Sequence, residues 1–203
     1  MNRRHDWSAG MNDAPAAGSK APLQVIVVSG HMTDLPDRTT TRFPESLAPE
    51  VSDAIDATLR DWGVDHRSVL LCGGARGSDL IAGESALALG ARVQLCLALP
   101  EPEFVERSVD SPGTDWVARF EAVRDRSVVR VLQRDQGAPS DNVFEATNKW
   151  MLEIARELAP RVRVLAVWDQ QLGDGHGGTA SFVESASEMG AEVVIIPLEP
   201  STG

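Results

Sequence analysis

The sequence has no tyrosine, only two cysteines, and no apolar run approaching the ~20 residues that a membrane-spanning helix needs. Cys72 and Cys96 both lie in apolar runs that predict buried strands, so we expect no disulfide framework and a reducing, cytoplasmic location. Positive charge is also scarce, because 19 Lys and Arg against 30 Asp and Glu give a formal net charge of -11. This balance argues against an extended nucleic-acid surface and against a membrane partner. It is compatible with a small anionic ligand that binds in a local pocket.

The composition predicts one folded domain with short flanking segments. Residues 1–22 are rich in Ala, Gly, Pro and Asn and have no apolar segment like that of a secretory signal, so we expect a disordered N-terminal segment. Residues 23–198 form the expected domain, and residues 199–203 form a tail. A chain of 203 residues, 42% of them hydrophobic, can build one α/β domain with a substantial core.

Short β-branched runs alternate with amphipathic segments along this domain. The pattern predicts a single Rossmann-like α/β domain, with a mainly parallel sheet of about six strands and helices on both faces. The predicted strands are 24–29, 68–72, 92–99, 127–132, 163–168 and 192–197, and the predicted helices are 49–62, 77–89, 114–125, 142–158 and 179–189. The long connections 33–48 and 100–113 follow strands, so we expect them to be loops that border a pocket.

Three glycine-containing turns each follow a strand and precede a helix, at 29–34, 73–79 and 173–179. Such turns direct backbone N–H groups and the positive end of a helix dipole at one spot, which favours a phosphate. In a parallel sheet all three would lie at the same carboxyl edge, where α/β proteins bind ligands. The pattern therefore predicts a pocket for a nucleotide or a ribose phosphate, with no required cofactor.

Candidate ligand-binding residues follow from these turns. In the second turn, Arg76 adds a cation and Ser78 a hydroxyl, whereas Asp79 is equally suited to capping the helix. In the first turn, His31 is either a phosphate donor, a proton-transfer group or a structural hydrogen bonder. The full predicted ligand-binding set is Ser29, Gly30, His31, Gly73, Gly74, Arg76, Gly77, Ser78, Asp79, Asn142, Asp169, Gly177, Gly178 and Thr179.

Other motifs admit alternatives. Asn142 opens its predicted helix at the pocket edge, but it is also a good N-cap, and Asp169 either holds ribose hydroxyls or makes a loop turn. Segment 173–178 matches the dinucleotide pattern Gly-x-Gly-x-x-Gly, yet it begins too far after its strand for a conventional NAD site. We expect Trp168 in the core and keep base stacking open for Trp116. No histidine has partners at zinc-ligand spacing, so no metal site is predicted.

The second turn carries a family resemblance. Gly73-Gly74-Ala75-Arg76-Gly77-Ser78-Asp79, followed by Ala82, Ala86 and a strand that ends in Pro100, resembles the SLOG superfamily of Rossmann-like nucleotide-binding proteins. That superfamily includes the LOG phosphoribohydrolases, the DNA-processing protein A family and domains that sense nucleotide-derived signals. The resemblance implies a ligand with a phosphate and a ribose bound across the strand ends. It also makes a homodimer a reasonable expectation, since LOG-like relatives are commonly dimeric.

One departure bears on catalysis. LOG enzymes carry Pro-Gly-Gly-x-Gly-Thr-x-x-Glu, and its glutamate assists N-glycosidic cleavage. This chain has Phe182 at that position, and Glu184 follows about 200° further around the helix. The sequence therefore favours a ligand-binding or sensor domain. An N-glycosidic hydrolase that uses Glu145, Glu184 or Asp169 is the alternative, and a structural partner with an empty pocket is the third hypothesis.

Overall fold

The computed structural model describes residues 21–133, 143–171 and 178–198. The strands are β1 Gln24–Gly30, β2 Ser68–Cys72, β3 Arg92–Leu97, β4 Val128–Val131, β5 Val162–Trp168 and β6 Glu192–Pro197. The helices are α1 Ala48–Asp61, α2 Ser78–Ala88, α3 Glu101–Phe104, α4 Trp116–Arg124, α5 Val143–Leu158 and α6 Thr179–Glu188. A 3-10 turn at Glu45–Leu47 precedes α1, and a π-helical turn at Val105–Val109 follows α3.

The six strands form one sheet in the order β4-β3-β2-β1-β5-β6, and every neighbouring pair is parallel. The chain moves outward from β1 to β4 and then returns to place β5 on the other side of β1. The order therefore reverses between β1 and β5, and in open α/β sheets the crevice at such a point is where ligands bind. This arrangement confirms the predicted Rossmann-like α/β fold.

Helices cover both faces of the sheet because the strand residues alternate between two cores. Ile26 and Val28 belong to one buried cluster, which includes side chains of α1, α2 and α4. Val25 and Val27 belong to the other, which includes side chains of α5 and α6. All four of these β1 residues are 0% exposed, which explains the uninterrupted apolar run of a central parallel strand.

The connection 100–113 is more structured than its sequence suggested. We expected a loop, but α3 and the π-helical turn occupy most of it. Phe104 and Val109 are buried, and the Phe104 ring lies 6.1 Å from that of Phe120 on α4. Burial of these apolar side chains explains the helical turns, because it compensates for ordering the backbone.

Some expectations fall outside the described residues, namely those for most of the N-terminal segment, Asn142, Gly177 and the tail 199–203. No helix among the described residues is both long enough and apolar enough to cross a membrane.

Candidate functional site

A cavity of about 750 Å³ lies at the carboxyl edge of the sheet. Its walls come from the segment after β1, the turn between β2 and α2, the end of β3, the first turns of α5, and the start of α6. The cavity therefore lies at the β1/β5 crevice, and its volume is in the range of small-molecule sites in proteins. The residues that line it decide what it can bind.

Arg76 supplies a buried positive charge to this cavity. The residue is 4% exposed and lines the cavity, and its Nε donates a hydrogen bond to the Thr33 carbonyl oxygen at 3.0 Å. Burial lowers the pKa of its guanidinium, although carboxylates beyond ion-pair distance, including Asp34, act in the opposite direction. Among the described residues, no carboxylate forms an ion pair with Arg76. A buried charge without a carboxylate partner is costly, so an anion in the cavity would be strongly favoured.

The glycine turn before Arg76 does not hold an empty phosphate cradle. Asp79 is buried, and its Oδ2 accepts a hydrogen bond from the Ala75 N–H at 3.3 Å. Burial raises the pKa of this carboxyl to about 7, while the N–H groups of Ala75, Gly73 and Gly74 oppose the rise. The anion at these N–H groups is thus the protein's own carboxyl group. Gly73 lines the cavity, and the expected phosphate contacts of Gly73 and Gly74 stay predictions.

Close backbone packing accounts for two other glycines. A Cβ on Gly77 would lie 2.7 Å from the Thr33 nitrogen, and the φ of Gly77 is +86°. A Cβ on Gly30 would lie 2.6 Å from the Val167 carbonyl oxygen and 2.7 Å from Ser78 Oγ. Both positions require glycine because the end of β1, the end of β5 and the start of α2 meet there.

Ser78 is fully buried at the same junction. Its hydroxyl donates to the His31 carbonyl oxygen at 2.7 Å, and the residue does not line the cavity. The expectation that this hydroxyl contacts a ligand is therefore corrected, because the hydroxyl joins α2 to the segment after β1.

His31 lies at the reversal between β1 and β5. Its backbone N–H donates to the Val167 carbonyl oxygen at 3.0 Å, and its side chain lines the cavity. His31 Nε2 lies 3.0 Å from Asp169 Oδ1, an ion-pair contact whose alignment falls short of a regular hydrogen bond. Asp169 follows β5, so this contact joins the two strands that border the crevice.

Asp169 is held from three sides. Partial burial raises the pKa of its carboxyl, but His31, the Gln171 N–H and Arg42 together lower the pKa below its usual value. The Gln171 N–H donates to Oδ1 at 3.0 Å, and Arg42 Nε lies 3.6 Å from Oδ2. Asp169 does not line the cavity itself. Its expected contact with ribose or a reacting atom stays a prediction, and the described contacts of its carboxyl group are those with His31, Gln171 and Arg42.

Two more arginines reach the cavity from the connection 33–48, as expected for a loop that borders the pocket. Arg38 and Arg42 both line it. Asp34 organises this loop, because its Oδ2 accepts hydrogen bonds from the Arg42 and Phe43 N–H groups at 2.9 Å each. Phe43 is 0% exposed and anchors the loop in the core. This wall of the cavity is therefore cationic within an acidic protein.

The α5 wall contains residues that sequence reasoning did not find. Phe144, Thr147, Asn148 and Met151 line the cavity from the first turns of α5. We expected the start of this helix at the pocket edge through Asn142 and Glu145, but its apolar spacing does not reveal which further residues of its first turns line the cavity. The aromatic ring of Phe144 is 44% exposed, so it is accessible to a ligand.

The three candidate acids lie in different places. Glu145 pairs with Lys149, at 3.3 Å between Oε1 and Nζ, and does not line the main cavity. Glu184 does line it. Phe182, at the position of the LOG glutamate, is 2% exposed in the core cluster under α6. Of the three acids Glu145, Asp169 and Glu184, only Glu184 reaches the cavity.

The start of α6 also borders the cavity, through Gly178, Thr179, Ala180 and Ser181. The first N–H groups of a helix have no intrahelical acceptor, so they are available to a ligand oxygen. A Cβ on Gly178 would have no neighbour within 4 Å. This position is open towards the cavity rather than packed.

The two tryptophans considered in the sequence analysis lie in different surroundings. Trp116 is 0% exposed, and its Nε1 donates to Glu45 Oε2 at 3.0 Å, so it is not accessible for base stacking. Trp168, which we expected in the core, is half-buried and lines the cavity. No group of three potential metal ligands from His, Cys, Asp and Glu occurs among the described residues.

Several solved structures have a similar fold. DNA processing protein A from Streptococcus pneumoniae has a TM-score of 0.41 and 17% identity over 85% of this chain, which spans 58% of that protein's chain. The Moco carrier protein from Chlamydomonas reinhardtii has a TM-score of 0.43 and 17% identity, covering 88% of this chain and 78% of that one. A structural genomics target, TM1055, has a TM-score of 0.44 and 16% identity, covering 84% and 72% respectively.

No protein-family model matches the chain, and no curated protein matches it. At these identities the similarity to the solved structures concerns the fold alone. DNA processing protein A, from one of the families that the glycine turns suggested, is among the structures found.

Proposed function

We propose that this domain binds a nucleotide or a nucleotide-derived ribose phosphate in the cavity at the carboxyl edge of the sheet. The phosphate would contact Arg76, and the sugar and base would extend towards α5 and α6. The observation that carries this proposal is the buried Arg76 guanidinium, which lines the cavity and has no carboxylate partner among the described residues.

The charge distribution supports an anionic ligand. Arg38 lies 3.3 Å from Asp34 and Arg42 lies 3.6 Å from Asp169, whereas Arg76 forms no ion pair with a described carboxylate. A phosphate oxygen accepts hydrogen bonds from a guanidinium in a geometry that water does not reproduce. Because the whole chain carries a net charge of -11, attraction of an anion must come from these local groups.

The shape and lining of the cavity support a ligand with an organic part as well as a phosphate. A volume of about 750 Å³ exceeds what an inorganic ion needs. Phe144 and Trp168 offer aromatic surface, and Asn148 and Ser181 offer hydrogen-bonding groups. A base that stacks on an aromatic ring gains about 1–3 kcal/mol.

A second function is N-glycosidic hydrolysis of the bound nucleotide. Glu184 favours it, because this carboxylate lines the cavity although the LOG position holds the buried Phe182. A carboxylate there would stabilise positive charge that develops on ribose as the base departs.

Calorimetry with a panel of nucleoside monophosphates and diphosphates tests the binding function. Arg76→Ala should weaken binding by ~1.5–3 kcal/mol, the range for a hydrogen bond to a charged group, and Arg76→Lys should recover part of the loss. Arg60→Ala is the matched control, because Arg60 is an exposed arginine on α1 that pairs with Asp56. Absence of binding and of any thermal shift would favour a structural role, and unchanged affinity in Arg76→Ala would remove this residue from the site.

Chromatography of the same incubations for free base separates binding from hydrolysis. Turnover that disappears in Glu184→Gln, while affinity persists, would establish the second function. Bound nucleotide that remains intact would establish a ligand-binding domain.

A further inference from the structure

The two ring nitrogens of His31 have different surroundings. Nε2 is buried and faces Asp169 Oδ1 at 3.0 Å. No described residue forms a hydrogen bond with Nδ1, and this nitrogen is not fully buried. Since the side chain lines the cavity and is 15% exposed, Nδ1 is the nitrogen that a ligand can reach.

The negative charge of Asp169, 3.0 Å from Nε2, favours hydrogen on this nitrogen, although the alignment of the two groups falls short of a regular hydrogen bond. An ionised carboxylate only accepts hydrogen bonds, so it favours the tautomer with hydrogen on Nε2. Neutral His31 then presents Nδ1 to the cavity as an acceptor. This acceptor needs an O–H or N–H donor from the ligand, and the hydroxyl groups of ribose are donors of that kind.

Backbone geometry holds Asp169 in this place. Asp169 Oδ1 accepts a hydrogen bond from the Gln171 N–H, and Arg42 lies on the side of Oδ2. Gln170 has a φ of +58°, and among the described residues it is the only non-glycine residue with positive φ. Left-handed backbone at a non-glycine residue costs free energy and is found where the surrounding structure demands it. The turn after β5 is thus built around the carboxylate of Asp169.

The position of His31 also fits a sugar. His31 follows β1, which lies between β2 and β5 in the sheet. Arg76 follows β2, and α6 follows β5, so His31 stands between the proposed phosphate contact and the start of α6. Among the described residues, the charged groups around the His31 imidazole are Asp169 and Arg42, and Arg38, Asp79 and Glu184 line the same cavity.

We propose that His31 is a specificity-determining residue that accepts a hydrogen bond from a ribose hydroxyl at Nδ1, and that Asp169 positions it. The inference rests on the proposed binding of a nucleotide or ribose phosphate and adds a preference for ribose over deoxyribose. Removal of one such hydrogen bond costs ~0.5–1.5 kcal/mol, which corresponds to about 2- to 13-fold in affinity.

The test compares ribose and deoxyribose forms of one ligand. Calorimetry compares the affinity for ribose 5-phosphate with that for 2-deoxyribose 5-phosphate. It also compares the affinity for the best-binding nucleoside monophosphate with that for its 2′-deoxy and 3′-deoxy forms. Wild-type protein should prefer a ribo form by about 2- to 13-fold. In His31→Gln, whose amide occupies the Nε2 position and contacts Asp169, this preference should fall below about 2-fold while the deoxy forms bind as before. His66→Gln, at an exposed histidine, should keep the wild-type preference.

Nitrogen-15 NMR of the histidine rings tests the positioning role independently of any ligand. The spectrum of the full chain at pH 8, with the His31 signals assigned from His31→Gln, should show hydrogen on Nε2 and a bare Nδ1. Asp169→Asn should shift the tautomer population and reduce the ribose preference, and a purely structural role for Asp169 would move neither readout.

Three outcomes would overturn the inference. These are equal binding of the ribo and both deoxy forms by wild-type protein, a preference that survives in His31→Gln, and hydrogen on Nδ1 in the free protein. Each leaves the proposed function intact if nucleotide binding itself is measured. Absence of binding by every ligand overturns both proposals. A thermal melt of each variant confirms that it is folded.

Discussion

The buried Asp79 carboxyl should make the stability of this protein fall as pH rises from about 4 to about 7. Burial raises its pKa to about 7, from 3.8 for an exposed aspartate. Between these values the folded state holds a proton that the unfolded state has released, so unfolding becomes easier with each pH unit. The shift of roughly 3 units corresponds to about 4 kcal/mol at 1.36 kcal/mol per unit.

The substitution Asp79→Asn isolates this effect. The Asn carbonyl oxygen can still accept the hydrogen bond from the Ala75 N–H, but the side chain has no charge to desolvate. We therefore expect the free energy of unfolding of the variant to exceed that of wild type by up to about 4 kcal/mol at pH 8 and by much less at pH 4. Because other carboxyl groups titrate in both proteins, their contributions cancel in the difference between the two.

Urea unfolding at pH 4, 5, 6, 7 and 8, followed by tryptophan fluorescence, measures this difference. Asp53→Asn is the control, since Asp53 is exposed on α1 and should give a difference that changes little with pH. A stability difference between Asp79→Asn and wild type that stays constant from pH 4 to pH 8 would refute the reasoning. It would mean that the carboxyl group titrates alike in the folded and unfolded chains.

Two glycine substitutions should separate packing from ligand contact. Gly77→Ala should destabilise the protein by about 1–3 kcal/mol in thermal or urea unfolding, because φ is +86° and a Cβ would lie 2.7 Å from the Thr33 nitrogen; a stability equal to wild type would contradict this packing. Gly178→Val should leave the circular dichroism spectrum and melting temperature near wild type, because no atom lies within 4 Å of the added Cβ, and should abolish nucleotide binding measured by calorimetry. Normal binding by this variant would move the ligand away from the start of α6.

The fold could be predicted from the sequence because buried faces of strands and helices require a regular spacing of apolar residues. The strands β2 and β6 have the predicted bounds, and α5 ends at the predicted residue. The helical turns in the segment 100–113 were not predicted, because they are short and depend on tertiary burial of Phe104. Such burial is decided by distant residues such as Phe120, which a local pattern does not contain.

The candidate site was only partly predictable, for a different physical reason. Arg76, His31 and Gly178 line the cavity, and the sequence could place them at the carboxyl edge because each lies between a strand and the helix that follows it. Asn148 and Phe144 were not found, because which part of α5 extends over the strand ends depends on how that helix packs on β1 to β3. The glycine turn at 73–75 was expected to bind a phosphate, and the sequence does not reveal that the Asp79 carboxyl group accepts a hydrogen bond from the Ala75 N–H there.

The charges of the cavity give a bound nucleotide a direction. Arg38, Arg42 and Arg76 come from the connections after β1 and β2, whereas Glu184 comes from α6, beyond β5. A phosphate placed at Arg76 keeps its negative charge on the arginine side of the β1/β5 crevice and away from the Glu184 carboxylate. The ribose of the proposed ligand would then lie beside His31, and its base would extend towards Phe144, which is exposed. In the reverse orientation the phosphate would approach Glu184 and leave the buried Arg76 guanidinium without an anionic partner, so the electrostatics favour the first orientation.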